Sequence, residues 1–332
     1  MPGRRRRWYA VGATPDTVDD FVRLRWSPTR DDAVIRPPRA SPIIADPTFL
    51  LPHDTPDGRW HLFAHSIWGV HHFTSDDGIR WSRPRLAVRH AMRPYLLRDG
   101  GTYHLFYERY PAFRLPLSWM PGVGWRSRIE RRSSGDLERW SDPQVVLEPC
   151  LPWHRADGLG EALGNPCVVR APDGWLLYYS ASLVRVPDCG FNEPLHVGLA
   201  RADGPAGPWR ALPAPILSPR ADDPRCNLGA GAVKVLRLGD GFVALHNGIA
   251  LDATGASRSA ISVLTSADGL AWSYAHARPI VAPSAGWRAR FVYACDVRRD
   301  PARDCWYLYF NGRDRAPMME GREAIGFVVG CH

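Results

Sequence analysis

The chain has 332 residues, with 42 Lys+Arg against 34 Asp+Glu, a formal net charge of +8 and an isoelectric point near 9.3. Apolar residues make up 45% and charged residues 23%, which excludes a disordered, collagen-like or coiled-coil chain. No apolar run approaches the roughly 18–20 residues that span a bilayer.

Nearly every basic residue is Arg, and Lys234 is the single lysine. The arginines are spread along the chain rather than gathered on one element, which argues against nucleic acid as the partner. Arg4–Arg7 form a basic cluster with no apolar segment of export length after it, so a cytoplasmic location is expected. The seven cysteines include no CxxC pair, and reduced thiols are expected, with neither a disulfide framework nor a metal site. Nothing in the sequence requires a cofactor. Residues 1–18 read as a basic arm and residues 19–332 as a single domain.

From residue 21 onward, short β-branched and aromatic runs are bounded by Gly, Pro and Asp, which predicts many short strands. One pattern recurs five times. A short strand leads through a Gly or Asp turn into an aromatic-rich strand. The copies run from Asp46-Pro-Thr-Phe to Trp60-His-Leu-Phe, from Arg93-Pro-Tyr-Leu to Tyr103-His-Leu-Phe, and from Asn165-Pro-Cys-Val to Trp175-Leu-Leu-Tyr. Looser copies run from Gly231-Ala-Val-Lys to Phe242-Val-Ala-Leu and from Asp296-Val-Arg-Arg to Trp306-Tyr-Leu-Tyr. In four units a third strand ends in an Asp-containing turn followed by Trp81, Trp140, Trp209 or Trp272. Each Trp is expected to begin a fourth strand.

Unit starts at 46, 93, 165, 231 and 296 are spaced 47, 72, 66 and 65 residues apart. Four-stranded units repeated in this way predict an all-β chain folded as a five-bladed β-propeller. The fifth unit lacks a fourth strand. The segment Phe21-Val-Arg-Leu-Arg-Trp-Ser-Pro echoes the missing one, so an N-terminal strand is expected to close the ring and remove an open edge.

In a propeller the first strand of each blade lines the axis. Three of the five unit-start residues, Asp46, Arg93 and Asp296, are charged, which is costly in a buried channel unless the charges are paired or wet. Glu108 ends the second strand of blade two, Glu161 lies in the loop entering blade three, and Glu193 sits in a long insertion of blade three. The candidate catalytic acids are therefore Asp46, Glu108, Glu161, Glu193 and Asp296. Candidate substrate-binding residues at strand ends are His65, Trp68, Arg93, Arg109, Asn165, Asn247 and Arg313. The apolar segment from Pro111 to Trp125 reads as a lid, a dimer contact or a packing loop.

The Asp-Pro start, the Gly-x-Trp/Tyr-x-Leu-x-Tyr strands and the Ser-x-Asp-Gly-x-x-Trp turns resemble the five-bladed propeller glycosidases of glycoside hydrolase family 43 and its relatives in families 32, 62, 68 and 130. The resemblance covers residues 20–330. It implies a blade-one Asp as base or nucleophile, matched here by Asp46. It also implies an Asp at the start of blade two, where Arg93 stands, and a Glu-Gly-Pro in blade three, where Gly164-Asn165-Pro166 stands. The activity it implies is that of a glycoside hydrolase-like enzyme acting on a small-molecule carbohydrate or glycoside. A furanoside and an anionic sugar that Arg93 would bind are the candidate substrates. The alternatives are a non-hydrolytic enzyme (a phosphorylase, a glycosyl transferase or one acting on a specialised metabolite) and a catalytically silent carbohydrate-binding propeller.

Overall fold

The structure, a computed structural model, describes residues 17–28, 30–118, 120 and 122–332. The basic arm falls outside the described residues except for Thr17 and Val18. These two open a short helix, Val18–Arg23, whose start is fixed by a reciprocal capping box between Thr17 and Asp20. The segment expected to be a strand from Phe21 is therefore helical to Arg23, and only Arg25–Pro28 is extended.

The chain is all-β, built mainly from five antiparallel sheets laid down in sequence order. The first holds Ala45–Leu50, Trp60–Ser66, Gly69–Ser75 and Arg85–Arg89. The second holds Ala91–Asp99, Thr102–Arg109, Arg128–Ser134 and Gln144–Leu147. The third holds Leu163–Ala171, Gly174–Ala181, His196–Ala202 and Arg210–Ala211. The fourth holds Gly229–Leu238, Gly241–Leu251, Ser262–Ser266 and Ser273–Tyr274, with Ser257–Ser259 added beside the second strand. The fifth combines Phe291–Asp300, Cys305–Arg313 and Glu323–Cys331 with Arg25–Pro28, which pairs with the last strand. Trp81, Trp140, Trp209 and Trp272 lie just ahead of the fourth strands rather than in them.

The first strands of the first, second, third, fourth and fifth sheets neighbour one another in turn, and the first strand of the fifth lies against that of the first. Hydrophobic cores fill the spaces between facing sheets. Phe49, Trp60 and Leu62 of the first sheet pack on Tyr309 and Phe327 of the fifth. Phe63 and Val70 pack on Leu96, Leu105 and Tyr107 of the second. Phe242 and Leu264 of the fourth join the core of the third, around Leu177 and Tyr178. Val243 and Leu245 of the fourth meet Val297 and Leu308 of the fifth.

The repeated Ser-x-Asp-Gly turn has a shared physical basis. Ser75 Oγ accepts from the backbone N–H of Asp77 and Gly78, and Asp77 Oδ1 accepts from Ile79 and Arg80. Ser134/Asp136 and Ser266/Asp268 make the same bonds. Gly78 and Gly269 adopt φ of +73° and +74°, the left-handed region that suits glycine, while Leu137 takes +63° in the second sheet. Two of these turns are tied to a neighbouring sheet. Tyr309 donates its hydroxyl to the Gly78 carbonyl at 2.5 Å, and Tyr178 donates to the Gly269 carbonyl at 3.0 Å. Both tyrosines are wholly buried.

Tyr309→Phe is expected to leave the Gly78 carbonyl unpaired and to lower stability by about 1–2 kcal/mol. The measurement is the urea midpoint, and an unchanged midpoint would show that the tie contributes nothing.

Candidate functional site

The polar residues of the first strands are brought together by a shared break in the ladder. The registers of the first, second, third and fifth sheets slip by one residue between Ala45 and Thr48, Met92 and Tyr95, Gly164 and Cys167, and Tyr293 and Cys295. At these bulges Asp46, Arg93, Asn165 and Ala294 take φ of +52°, +53°, +47° and +35°. A bulge re-aims a side chain that would otherwise alternate across the sheet. In three of the four, the next residue is proline, which has no N–H for the ladder and is tolerated at a bulge. In the fourth sheet the slip lies further out, between Gly229 and Ala232, with Gly231 at φ +64°.

This alignment corrects one sequence expectation. The counterpart of Asp46 in the fifth sheet is Ala294, not Asp296. Asp296 lies two residues further in, opposite Tyr309, as Thr48 lies opposite Phe63. Its carboxylate accepts from Thr48 Oγ1 at 2.8 Å, Phe49 N at 3.2 Å, Val297 N at 2.9 Å and Arg298 Nη2 at 3.1 Å. A buried carboxylate with four donors is a structural tie. Arg298 extends it to the Leu96 carbonyl at 2.7 Å, so the first strands of sheets five, one and two are joined. At this inner level the fourth sheet contributes the chain's one lysine. Lys234 is buried, donates to the Pro166 carbonyl at 3.1 Å and lies over the Tyr95 ring at 4.9 Å.

Above that level, the second strands present His65, Glu108, Ser180, Asn247 and Asn311 at equivalent positions. His65 Nδ1 is 3.1 Å from Asp46 Oδ2, and the Asp46 backbone N–H donates to Asn311 Oδ1 at 3.1 Å. Burial opposes ionisation of Asp46. The hydrogen bond from His65 and the charges of His65, Arg93 and Lys234 outweigh it and hold the carboxyl below its ordinary value.

Arg93 donates from Nη1 to Glu108 Oε2 at 2.7 Å, and Trp125 Nε1–H donates to Glu108 Oε1 at 2.9 Å. Glu108 is 0% exposed, so both its oxygens are engaged inside the protein. Gly164 makes room for it, because a Cβ there would fall 2.2 Å from Glu108 Oε2. This steric demand accounts for a glycine ahead of Asn165. Burial disfavours the charge on Arg93, but Glu108, Asp46 and Glu193 more than offset it and raise its pKa.

Glu193 is delivered by the insertion in the third sheet, which folds back as a hairpin of Val184–Val186 and Phe191–Glu193. It lines a small hollow together with Cys189, Phe191, Asn247, Ser259, Phe291 and Tyr293. Burial is the largest influence on its carboxyl. With the Asp46 and Glu323 charges it outweighs Arg93 and Arg313, and the pKa rises to about 7. Glu323 and Arg313 form a buried pair at 2.9 Å, and Asn311 Nδ2 donates to Glu323 at 3.4 Å. Burial also raises the Glu323 carboxyl, although Arg313 and Tyr293 oppose it.

The remaining candidates are placed as follows in the structure. Glu161 is held by Arg155 at 3.1 Å and Arg126 at 3.3 Å on a small outer sheet. Arg109 donates to the Arg89 carbonyl at 2.6 Å. Arg313 is consumed by Glu323 and by the carbonyls of Arg315, Pro317 and Met318. Trp68 stands 51% exposed on the turn after Ser66, and Asn165 is buried at its bulge. Sequence reasoning does not single out Asn311 and Glu323 beside the Asp46 carboxyl, or Lys234 on the inner level. Asn311 ends the aromatic strand of the fifth repeat just as His65 and Glu108 end theirs, and that alignment is the available signal. Lys234 is visible as a solitary lysine.

No protein-family model matches the chain, and no curated protein matches its sequence. Its fold is shared with solved glycoside hydrolases. An α-L-arabinofuranosidase from Podospora anserina in complex with cellotriose aligns with a TM-score of 0.62 at 14% identity, over 94% of this chain and 98% of that one. A structure from the GH130 family of mannoside phosphorylases, which contains glycoside hydrolases that target β-1,2 mannosidic linkages in Candida mannan, aligns at 0.63 and 15% identity over 92% and 93%. A thermostable family-43 glycoside hydrolase aligns at 0.60 and 11% identity over 86% and 88%.

The raised Glu193 carboxyl has a consequence for stability. Folded, it keeps its proton to about pH 7, whereas its unfolded counterpart loses it near 4.5. Its contribution is complete below 4.5 and is lost as pH rises to about 7. Glu193→Gln is therefore expected to lose less stability than the parent between pH 5 and pH 8 in urea unfolding. Identical pH slopes would place Glu193 in an ordinary, solvated setting.

Proposed function

We propose that the five sheets are the blades of a five-bladed β-propeller closed by Arg25–Pro28, and that the chain is a glycoside hydrolase-like enzyme acting on a small glycoside in the axial hollow. One observation carries the reading. The Glu193 carboxyl is raised in part by the charge of Asp46 and keeps its proton to about neutrality, while Asp46, 3.1 Å from His65 Nδ1, is held ionised. Glycoside cleavage requires that division of roles between two carboxyls. The shared fold with glycoside hydrolases and with a phosphorylase-containing family supports it.

In this mechanism Glu193 donates its proton to the glycosidic oxygen as the C–O bond breaks. Asp46 removes a proton from the attacking water or itself attacks the anomeric carbon. His65 fixes the Asp46 carboxylate, and the Asn311 side chain fixes its backbone. The Arg93–Glu108 and Arg313–Glu323 pairs cancel their own charges, which favours a neutral glycoside, a furanoside among them, over an anionic sugar. Phosphorolysis is the second reading, because the fold is shared with a phosphorylase-containing family.

A panel of nitrophenyl furanosides and pyranosides, assayed with and without phosphate, tests the proposal. Turnover is expected without phosphate, with kcat/KM falling by roughly 10²–10⁴ in Asp46→Asn and in Glu193→Gln. Strict phosphate dependence would select phosphorolysis. Sugar binding without turnover would select the catalytically silent propeller. Full activity in Asp46→Asn would move the site elsewhere.

A further inference from the structure

Cys305 and Cys331 belong to neighbouring antiparallel strands of the fifth sheet. Trp306 pairs with Gly330, and the register runs unbroken from there to Arg313 and Glu323. One further step along the same ladder sets Cys305 opposite Cys331. Cys331 is also opposite Arg25 on the strand that completes the sheet. Directly opposed residues share a face, with Cα atoms about 4.5–5.5 Å apart. That lies within the roughly 4.4–6.8 Å a disulfide spans. Both thiols are free, Cys305 buried and Cys331 exposed. Burial and, after it, the nearby Cys331 thiol raise the Cys305 pKa.

We propose that Cys305 and Cys331 are a site of oxidative modification, closing to an intramolecular disulfide by exchange with a low-molecular-weight disulfide. The exposed Cys331 thiolate attacks one sulfur of the oxidant and releases the first small thiolate. The Cys305 thiolate then attacks Cys331 Sγ and expels the second. Two cysteine thiols are oxidised, one oxidant disulfide is reduced to two thiols, and the two protons pass to those products. The bond staples the last strand at the point where Arg25–Pro28 joins it, so oxidation strengthens the seam of the fifth sheet. This inference is independent of the reaction proposed above.

The test incubates the full chain with oxidised glutathione or with dithiothreitol, blocks free thiols and maps the peptides. The expected product in glutathione links Cys305 to Cys331, and Tm rises by about 5 °C or more. Both effects are absent in Cys305→Ser and in Cys331→Ser, which change only one end of the sheet. A glutathione adduct that persists on Cys331 while Cys305 stays free would overturn the proposal. So would a link formed between other cysteines, or a linked pair with no change in Tm.

Discussion

The break in the first-strand ladder is the constraint on which the site depends. A regular strand would send alternate side chains to opposite faces and leave few polar groups together at one end of the first strands. The bulge adds one residue, and that residue must accept a left-handed backbone. Asp46 and Asn165 are among the side chains that tolerate such a backbone; Arg93 and Ala294 do so less readily. Two of these bulges are held from the second strands of neighbouring sheets. The backbone of Asp46 is held by Asn311 and that of Arg93 faces His65, so the second strands stabilise what the first strands distort.

Charge is then arranged in two layers. The inner layer is closed and structural: Asp296 is saturated by Thr48, Arg298 and backbone donors, and Lys234 caps the Pro166 carbonyl. The outer layer holds two internally matched ion pairs, and between them Asp46 and Glu193 are pushed in opposite directions. Burial acts on both carboxyls. Asp46 has a direct hydrogen-bonding partner in His65 and several cations around it. Glu193 receives its relief only at longer range from Arg93 and Arg313, and burial prevails there.

Much of the fold is legible in the sequence because its units repeat. The Asp-Pro, Arg-Pro and Asn-Pro pairs mark three of the bulges, and the Ser-x-Asp-Gly turns mark hairpins of the same kind in separate sheets. The fifth unit misleads by two residues because Cys295 replaces the proline and Ala294 has no polar side chain, so Asp296 is the nearest acid to align. Glu193 is visible only as an acid in an insertion, since nothing local reveals that a hairpin brings it within reach of the Asp46 and Arg93 charges. Glu323 has no repeat counterpart to flag it; its role arises from Arg313 directly across the ladder. The helix at Val18–Arg23 escapes the strand pattern because an apolar Phe21 suits either state, and the Thr17–Asp20 cap decides between them.

Two neighbouring carboxyls held in opposite protonation states are the core of the proposed chemistry. Carboxyl ¹³C chemical shifts followed against pH, assigned with the Asp46→Asn and Glu193→Gln variants, measure this directly. The Glu193 signal is expected to move near pH 7 and the Asp46 signal below the ordinary 3.8. Two signals titrating together near pH 4 would contradict it.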